Sequence, residues 1–340
     1  MNNNNKNTKS TASTENYTRP AVEGPVVALA GGVGAARLLR GLVATVPPAQ
    51  VVAIVNTGDD REFYGVHVSP DLDIVSYSLA GVVDPEKGYG LENDTFQLVD
   101  TLDALGHESW FRLGDRDYAR CLHRTLRLRE GAGLAQISDE LRRDLGLATR
   151  LLPMSDDPCP TLVELSDGRC LHFEEYLIRE GSPDDVKRVD LAAARAARPA
   201  PGVLEAIEQA RTIVICPSNP VVSIGPILAV PGIREALVRA AAPVVAISPI
   251  VGGAPIKGPA DRLLRGIGRE VSALGVAEMY RGLADAFVLD AVDAALTPEI
   301  EGLGMRARAI DTLMKSPAIA AEVARTALTL AAEAAAGEPR

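Results

Sequence analysis

Residues 26–39 read VVALAGGVGAARLL, residues 51–60 read VVAIVNTGDD, and residues 69–73 read SPDLD, and these three segments decide the fold. The first is an apolar run followed by glycines and the start of a helical pattern. The second is another apolar run, which ends in two carboxylates. Short apolar runs are typical of strands that are buried on both faces of a parallel sheet. A strand, a glycine turn, a helix and a second strand make a βαβ unit, whose crossover is right-handed.

A mainly helical segment follows this βαβ unit. Three helical patterns fill residues 92–145, and each ends near a glycine. Residues 151–165 and 169–173 then indicate a β-hairpin around Ser166-Asp167-Gly168. Because three consecutive helices interrupt the alternation of strand and helix, we expect this segment to be an insertion into the α/β fold.

The alternation returns later in the chain. Apolar runs at residues 212–216 and 244–247 predict further strands, residues 287–289 predict the last strand, and residues 317–335 predict a helix on the outside of the sheet. We therefore predict an α/β fold: a Rossmann-like parallel sheet with helices on both faces, an inserted helical subdomain and a β-hairpin. The predicted domains are a disordered N-terminal extension (1–24), a Rossmann-like α/β core (25–90 and 200–335) and the inserted, mainly helical subdomain with its hairpin (91–199).

Composition excludes several classes of protein. The net charge of −10 argues against a nucleic-acid binder, which would carry a basic surface. The polar start MNNNNKNTKS does not resemble a secretion signal, and no apolar run is long enough to span a membrane. The four cysteines contain no CxxC pair, which favours free thiols in a reducing compartment. We expect a soluble cytoplasmic protein.

Polar or glycine-rich loops follow four of the predicted strands. They are Gly31–Gly34, Asn56–Asp60, Pro217–Asn219 and Ser248–Lys257. The carboxyl ends of parallel strands share one edge of a sheet, and ligands bind beyond that edge. We therefore expect these loops to form one site.

The glycine turn and the neighbouring carboxylates indicate chemistry at that site. The N–H groups and dipole of the helix that follows Gly31–Gly34 favour a phosphate. A tight turn without a ligand is the alternative, since a Rossmann G-x-G-x-x-G would need glycine where Arg37 stands. The four candidate ligands for Mg²⁺ are Asp59, Asp60, Asp71 and Asp73. Carboxylates in a loop or in a first helical turn are the alternative explanation for these four.

Nine ordered motifs, taken together, resemble those of one family. They are AGGVGAARLLRGL (30–42), VNTGDD (55–60), SPDLD (69–73), GLENDTF (90–96), RLGDRD (112–117), LLPMSDDP (151–158), PSNPVVSIGPIL (217–228), ISPIVGGAPIKGPA (247–260) and DTLM (311–314). From about residue 26 to about residue 335, the chain resembles the 2-phospho-L-lactate transferase family of deazaflavin coenzyme biosynthesis.

The resemblance implies a reaction. A guanosine diphosphate-activated three-carbon acid gives its phosphoryl group, with the acid attached, to the terminal ribityl hydroxyl of the deazaflavin Fo. GMP leaves, and the phosphodiester of a coenzyme F-420 precursor forms. The acid is phospholactyl, phosphoenolpyruvyl or phosphoglyceryl in different members. Mg²⁺ is the cofactor that the resemblance implies, and Fo and the guanosine donor are the implied small-molecule partners.

The resemblance also implies roles for individual residues. Asp60 and Asp73 are expected to bind the metal or to accept the proton of the acceptor hydroxyl. Asp73 and Arg112 would contact Fo, and Asn93 and Asp94 would line the acceptor side. The residues expected to hold the donor nucleotide are Gly31, Gly32, Gly34, Ser218, Asn219 and Ser223.

Two other functions stay open on the sequence alone. An NAD(P)-binding oxidoreductase would also need a βαβ unit and an acid downstream of the glycines. A nucleotide-binding regulatory protein of the wider family would share the glycine turn without binding Fo. Apolar C-terminal helices suggest a homodimer, although an Ala-rich helix can equally pack on its own sheet.

Overall fold

A sheet of seven strands forms the centre of the protein. The structure is a computed structural model that describes residues 24–336, so the predicted disordered extension lies outside the described residues except for its last residue. The strands are β1 (Val26–Ala30), β2 (Val51–Val55), β3 (Arg61–Phe63), β4 (Val66–Val68), β5 (Arg150–Pro153), β6 (Leu162–Leu165), β7 (Cys170–His172), β8 (Val186–Asp190), β9 (Thr212–Ile215), β10 (Val244–Ile247), β11 (Ile250–Val251), β12 (Ala254–Pro255), β13 (Ala286–Asp290) and β14 (Arg306–Ile310).

The helices connect these strands and cover them. They are α1 (Gly32–Thr45), α2 (Pro70–Ala80), α3 (Gln97–Ala104), α4 (Asp115–Arg129), α5 (Leu134–Asp144), α6 (Ala192–Ala196), α7 (Val203–Gln209), α8 (Ile224–Ala229), α9 (Ile233–Arg239), α10 (Ala260–Gly266), α11 (Ala273–Met279), α12 (Thr297–Glu301) and α13 (Pro317–Ala335). Among residues 24–336, none of them is both long and apolar enough to cross a membrane.

The order of the strands identifies the type of sheet. It runs β14-β13-β10-β9-β1-β2-β5, and every neighbouring pair is parallel. The first strand, β1, lies in the middle of the sheet, and β2 and β5 follow it towards one edge. The later strands β9, β10, β13 and β14 lie on the other side of β1, in order towards the opposite edge. The strand order therefore reverses between β1 and β9, as in doubly wound Rossmann-like folds. The predicted fold class is confirmed.

Both faces of the sheet are covered by helices, because the central strands are apolar on both faces. In β1, Val27 and Leu29 belong to one hydrophobic cluster, and Val26, Ala28 and Ala30 belong to the other. Helices α1, α2 and α13 contribute to the second cluster, and α7 to α11 contribute to the first. Residues alternate between the two faces of a strand, so a continuous apolar run supplies both cores.

Helices α1 and α13 pack unusually closely on one face. A Cβ atom on Gly41 of α1 would overlap the carbonyl oxygen of Ala320 at the start of α13. Glycine in a helix interior costs about 1 kcal/mol relative to alanine. Here the close approach of the two backbones requires it.

Two strand predictions were wrong. The segment from Leu151 does not begin a hairpin, because β5 pairs in parallel with β2 at the edge of the main sheet. The hairpin consists of β6 and β7, and β8 adds a third antiparallel strand on the other side of β6. Residues 287–289 do not form the last strand, since β14 follows and pairs with β13. The sequence of β14, RARAI, is too polar to resemble the buried strands. The boundaries of an inserted subdomain stay a prediction.

Candidate active site

A cavity of about 610 Å³ opens beyond the carboxyl ends of the central strands. All four of the loops that follow predicted strands contribute lining residues. They contribute the glycines after β1, Asp59 after β2, Pro217 to Asn219 after β9, and Ser248 and Lys257 after β10. The cavity therefore lies at the topological switch point between β1 and β9, where the strand order reverses, which is the usual position for a ligand in such sheets.

The glycine turn at the start of α1 is held by two neighbouring segments. The Ser218 hydroxyl donates to the Gly31 carbonyl at 2.7 Å, and its oxygen accepts from the Gly31 N–H at 3.2 Å. The Gly32 N–H donates to Oδ1 of Asp71 at 2.6 Å. A Cβ on Gly31 would lie 2.6 Å from Oδ2 of Asp71, and one on Gly34 would overlap the Pro217 carbonyl. These glycines thus allow close packing around the turn. The carboxylate of Asp71 already accepts the hydrogen bond of the Gly32 N–H, the first N–H of α1.

Asp59, Asp71 and Glu174 form an acidic group on the cavity wall. Burial raises the pKa of Asp71 to about 6. Burial and the charge of Asp71 raise the pKa of Glu174 to about 8. The pKa of Asp59 is raised well above its usual value by burial, with repulsion from Asp71 and Glu174. Three carboxyls that disfavour one another's ionisation make a region that a cation would stabilise.

Asp60 lies beside this group but is not among the residues that line the cavity. Its Oδ2 lies 3.0 Å from Nε2 of His67 and accepts from the Ser69 hydroxyl at 2.7 Å. Among the described residues, Oδ1 of Asp59 and Oδ1 of Asp60 are buried without a hydrogen-bond partner. Burial raises the pKa of Asp60, and the hydrogen bond and charge of His67 oppose that rise.

Asp73 is paired with a buried arginine. Nη2 of Arg124 donates to Oδ1 of Asp73 at 2.5 Å, and Nη1 donates to Oδ2 at 3.1 Å. Arg124 is only 2% exposed, and Asp73 lines the cavity at 7% exposure. The fork geometry of the guanidinium thus engages both oxygens of this carboxylate.

Asp117 and Cys121 complete a second buried group with Asp73, and one ligand atom from each lies within 4.8 Å of the others. The Tyr77 hydroxyl donates to Oδ1 of Asp117 at 2.7 Å. Burial and the charge of Asp73 raise the pKa of Asp117 to about 7. Burial and Asp73 also raise the pKa of the Cys121 thiol, which keeps it protonated. Because Mg²⁺ prefers oxygen ligands, this trio suits it poorly.

The residues predicted for the acceptor side have different roles. Arg112 and Asp94 line the cavity, whereas Asn93 does not. The Arg112 guanidinium lies 4.9 Å from the centre of the Phe96 ring and donates to Asp100 at 2.7 Å. The Asp94 carboxylate accepts the N–H groups of Arg116 and Asp117, at 2.9 and 3.0 Å. Asp94 therefore caps the N-terminus of α4.

The residues predicted for the donor side shape the loop after β9. Asn219 and Ser223 line the cavity with Ser218. Oδ1 of Asn219 accepts the Val221 N–H at 2.9 Å, which closes a tight turn before α8. The structure thus brings the predicted donor loop and glycine turn together, and it leaves Asp60 and Asn93 outside the lining.

Two further features of the cavity were not predicted from the sequence. Glu174 lies between β7 and a helical turn, in a segment where no motif marks it. An aromatic wall is formed by Tyr77, Tyr89, Phe96, Trp110 and Phe111. These aromatics come from separate segments, and only tertiary contacts bring them together. Besides Arg112, the cationic residues that line the cavity are Arg37, Lys87, Lys257 and Lys315.

Fold and cavity together define an α/β protein with a carboxyl-rich candidate ligand site at the edge of a doubly wound sheet. Comparison with known proteins gives the family. Residues 26–318 match the family described as 2-phospho-L-lactate transferase CofD. The chain therefore belongs to the CofD family and is a transferase that acts on small molecules in coenzyme F-420 biosynthesis.

Individual relatives agree with this assignment. A protein of Streptomyces griseus subsp. griseus named phosphoenolpyruvate transferase is 46% identical over 91% of this chain and 98% of its own length. One of Methanosarcina mazei named 2-phospho-L-lactate transferase is 41% identical over 88% of this chain and 98% of its own. A solved Bacillus halodurans structure has a TM-score of 0.59 at 23% identity, covers 90% of this chain and 99% of that one, and supports the fold alone.

Proposed function

We propose that this transferase moves a phosphorylated three-carbon acid from a guanosine diphosphate-linked donor to the terminal ribityl hydroxyl of Fo. The observation that carries the proposal is one cavity that combines three surfaces. A glycine and serine turn lies at one part of the wall, a group of buried carboxyls lies at another, and aromatic rings form a third. A nucleotide diphosphate, a metal ion and a flat aromatic acceptor need these three kinds of surface.

The donor would lie against the Gly31–Gly34 turn and the loop from Ser218 to Ser223. Asp71 holds the Gly32 N–H, so the diphosphate would be balanced chiefly by the cationic residues of the cavity rather than by that N–H. For the acid, we propose phosphoenolpyruvyl, because the relative of 46% identity carries that name and the relative of 41% is named for phospholactate.

The acceptor would lie against the aromatic wall. Trp110 and Phe111 offer apolar faces, and Arg112 brings a cation to the same wall. Planar ring systems stack on such surfaces. Asp73, held by Arg124 at the wall of the cavity, would face the ribityl hydroxyl.

The reaction is a single displacement. The ribityl hydroxyl oxygen forms a bond to the phosphorus that bears the acid, and the bond from that phosphorus to the bridging oxygen of GMP breaks. GMP leaves with the bridging oxygen and its electron pair, and the hydroxyl proton passes to a carboxylate. We propose Asp73 as the acceptor of that proton, because its carboxylate lines the cavity. The rest of the protein's part in phosphoryl transfer is mainly to position the reactants and to neutralise charge.

Mg²⁺ fits the acidic part of the cavity. Oδ1 of Asp59 and Oδ1 of Asp60 are buried oxygens without a partner among the described residues, and Asp71 and Glu174 add charge nearby. Mg²⁺ usually takes one or two carboxylates together with water and substrate phosphates, and it neutralises charge that develops on those phosphates. We propose Asp59 and Asp60 as its ligands, and Asp73, whose two oxygens are engaged by Arg124, as the proton acceptor instead.

A product assay tests the proposed function. The purified protein is incubated with Fo and Mg²⁺ and with each of the three guanosine donors in turn, and products are identified by mass spectrometry. We expect GMP and an Fo phosphodiester, formed fastest with the phosphoenolpyruvyl donor. An Asp73→Asn variant, which keeps the shape of the side chain, is the negative control, and we expect it to form little product. No phosphodiester from any donor would contradict the proposal.

Assembly and location stay predictions. Light scattering on the purified protein tests the homodimer, and fractionation of cells tests the cytoplasmic location.

A further inference from the structure

We propose that Arg124 and Thr125 of α4 are positioning residues that orient both Asp73 and Asp60, with His67 as the connection to Asp60. The inference rests on the proposed function, since Asp73 and Asp60 matter there as carboxylates of the site. Helix α4 thereby has a role in the site, although the side chains of Arg124 and Thr125 do not line the cavity.

The link to Asp73 is direct. The guanidinium of Arg124 engages both oxygens of Asp73, and its side chain is almost completely buried. Nε of Arg124 is buried without a partner among the described residues. A buried pair with an unpaired donor contributes little to stability when compared with apolar residues of similar size. Orientation of the carboxylate is the better explanation of this arrangement.

The link to Asp60 runs through a short strand. Nη1 of Arg124 also donates to the carbonyl of His67 in β4, at 3.3 Å. The Thr125 hydroxyl accepts the N–H of the same residue at 2.7 Å. Two consecutive residues of α4 therefore hold both backbone groups of His67. The ring of His67 in turn lies against Asp60, with Nε2 3.0 Å from Oδ2.

This geometry needs an arginine. Lysine has one ammonium group on a flexible stem, so it cannot reach both oxygens of Asp73 and the His67 carbonyl with the same fixed fork. Arg124→Lys keeps the charge and loses the orientation. It therefore separates positioning from simple neutralisation.

The test is a double-mutant cycle on turnover with Arg124→Lys and His67→Ala. The control is Arg127→Lys, because Arg127 lies one turn along α4 and forms the same two-bonded pair with Glu140, away from the cavity. We expect each single change to lower kcat by about 10- to 100-fold, the range for residues that orient ligands of a site. The double variant should be no worse than the poorer single variant. Arg127→Lys should match wild type, and His67→Gln, which can still donate to Asp60, should restore part of the activity lost in His67→Ala.

Binding of Fo gives a second measurement that does not depend on turnover. By equilibrium dialysis, Arg124→Lys should weaken Fo binding, because Asp73 lies in the cavity wall, whereas His67→Ala should not. Strictly additive losses of kcat, or wild-type turnover and Fo binding in Arg124→Lys, would overturn the inference. If Arg124→Lys fails to fold, Thr125→Val, which removes the hydroxyl that accepts the His67 N–H, takes its place in the cycle, and strictly additive kcat losses of Thr125→Val and His67→Ala would overturn the inference. Absence of turnover in wild type would instead contradict the proposed function.

Discussion

At the scale of single residues, the carboxyls of this site differ in what surrounds them. Asp73 is bound to a guanidinium, and Asp94 caps a helix. Asp71 is held by neutral donors, the Gly32 N–H and the Asn56 amide. Glu174 is buried, and burial together with the charge of Asp71 raises its pKa to about 8. The same side-chain type therefore serves as ion-pair partner, as helix cap and as a buried acid with a raised pKa.

Asp71 should matter for stability as well as for activity. Asp71→Ala leaves the Gly32 N–H without its acceptor and the Asn56 amide with only the Val222 carbonyl. An unsatisfied buried donor costs about 1–3 kcal/mol, so loss of the acceptor of the Gly32 N–H should lower the unfolding free energy by about that amount. Asp71→Asn keeps one acceptor oxygen and should lose less. Denaturant titration measures both, with the exposed Glu205→Ala as control, and an unchanged midpoint in Asp71→Ala would contradict the assigned contacts.

Glu174 should affect the response to Mg²⁺. Burial raises the pKa of Glu174 to about 8, so this carboxyl would ionise when a cation binds, and Glu174→Gln removes that capacity without changing the size of the side chain. We expect the Mg²⁺ concentration for half-maximal turnover to rise by about 10-fold or more, as for other groups that support a metal site. Glu175→Gln is the matched control, since Glu175 pairs with Arg61 and does not line the cavity. Equal Mg²⁺ dependence in the two variants would exclude Glu174 from the site.

At the scale of elements, α4 and α1 show how helices outside the sheet shape its edge. α4 holds Asp73 and β4, and its N-terminus is capped by Asp94. α1 begins at the glycine turn, and α13 packs closely on it at Gly41. The position of the turn thus depends on a helix that lies almost 300 residues later in the chain.

The contact between α1 and α13 can be tested by adding one methyl group. Alanine favours helices, so Gly41→Ala would stabilise an isolated helix. In this protein the added Cβ overlaps the Ala320 carbonyl, and we expect a loss of about 1–3 kcal/mol because overpacking separates the helices. Thermal unfolding measures the change, and the exposed Arg40→Ala on the same helix should have little effect. A rise in Tm for Gly41→Ala would show that the two helices do not pack this closely.

At the scale of the whole molecule, the buried acids make stability depend on pH. The pKa values of Asp117 and Glu174 are raised to about 7 and about 8 in the folded protein. A raised pKa means that the folded state binds protons more tightly than the unfolded chain, so the stabilisation is complete at low pH and is lost as the pH rises through the folded value. Burial and the charge of Arg61 lower the pKa of His172 to about 4, so its contribution to stability is complete above the pKa of the unfolded chain and no longer changes with pH there.

We therefore expect the free energy of unfolding, without Mg²⁺, to fall by about 1–3 kcal/mol between pH 6.5 and pH 8.5. Mg²⁺ should reduce the fall, because it binds the ionised carboxylates. Denaturant titrations at the two pH values, with Mg²⁺ or with a chelator, measure both effects. Glu174→Gln should show a smaller fall than wild type. Stability that increases over this range would contradict the assigned burial of these groups.

The class of fold and the edge of the sheet where the cavity opens follow from the amino-acid sequence alone. The apolar runs of β1 and β2 and the glycines between them require a buried parallel unit, since such runs have no polar face to expose. The ordered motifs identified the family. The sequence could not show which partner β5 has, or that RARAI forms β14, because an edge strand has no distinctive apolar pattern.

Which carboxyls face the cavity, and what each one contacts, depends on tertiary packing. Spacing along the chain placed Asp59, Asp60, Asp71 and Asp73 in one region, but it could not show that Arg124 neutralises Asp73 or that His67 and Ser69 hold Asp60. Glu174 joins them from about 100 residues further along the chain. The charge state of a buried acid depends on the groups packed around it, and those groups come from separate parts of the chain.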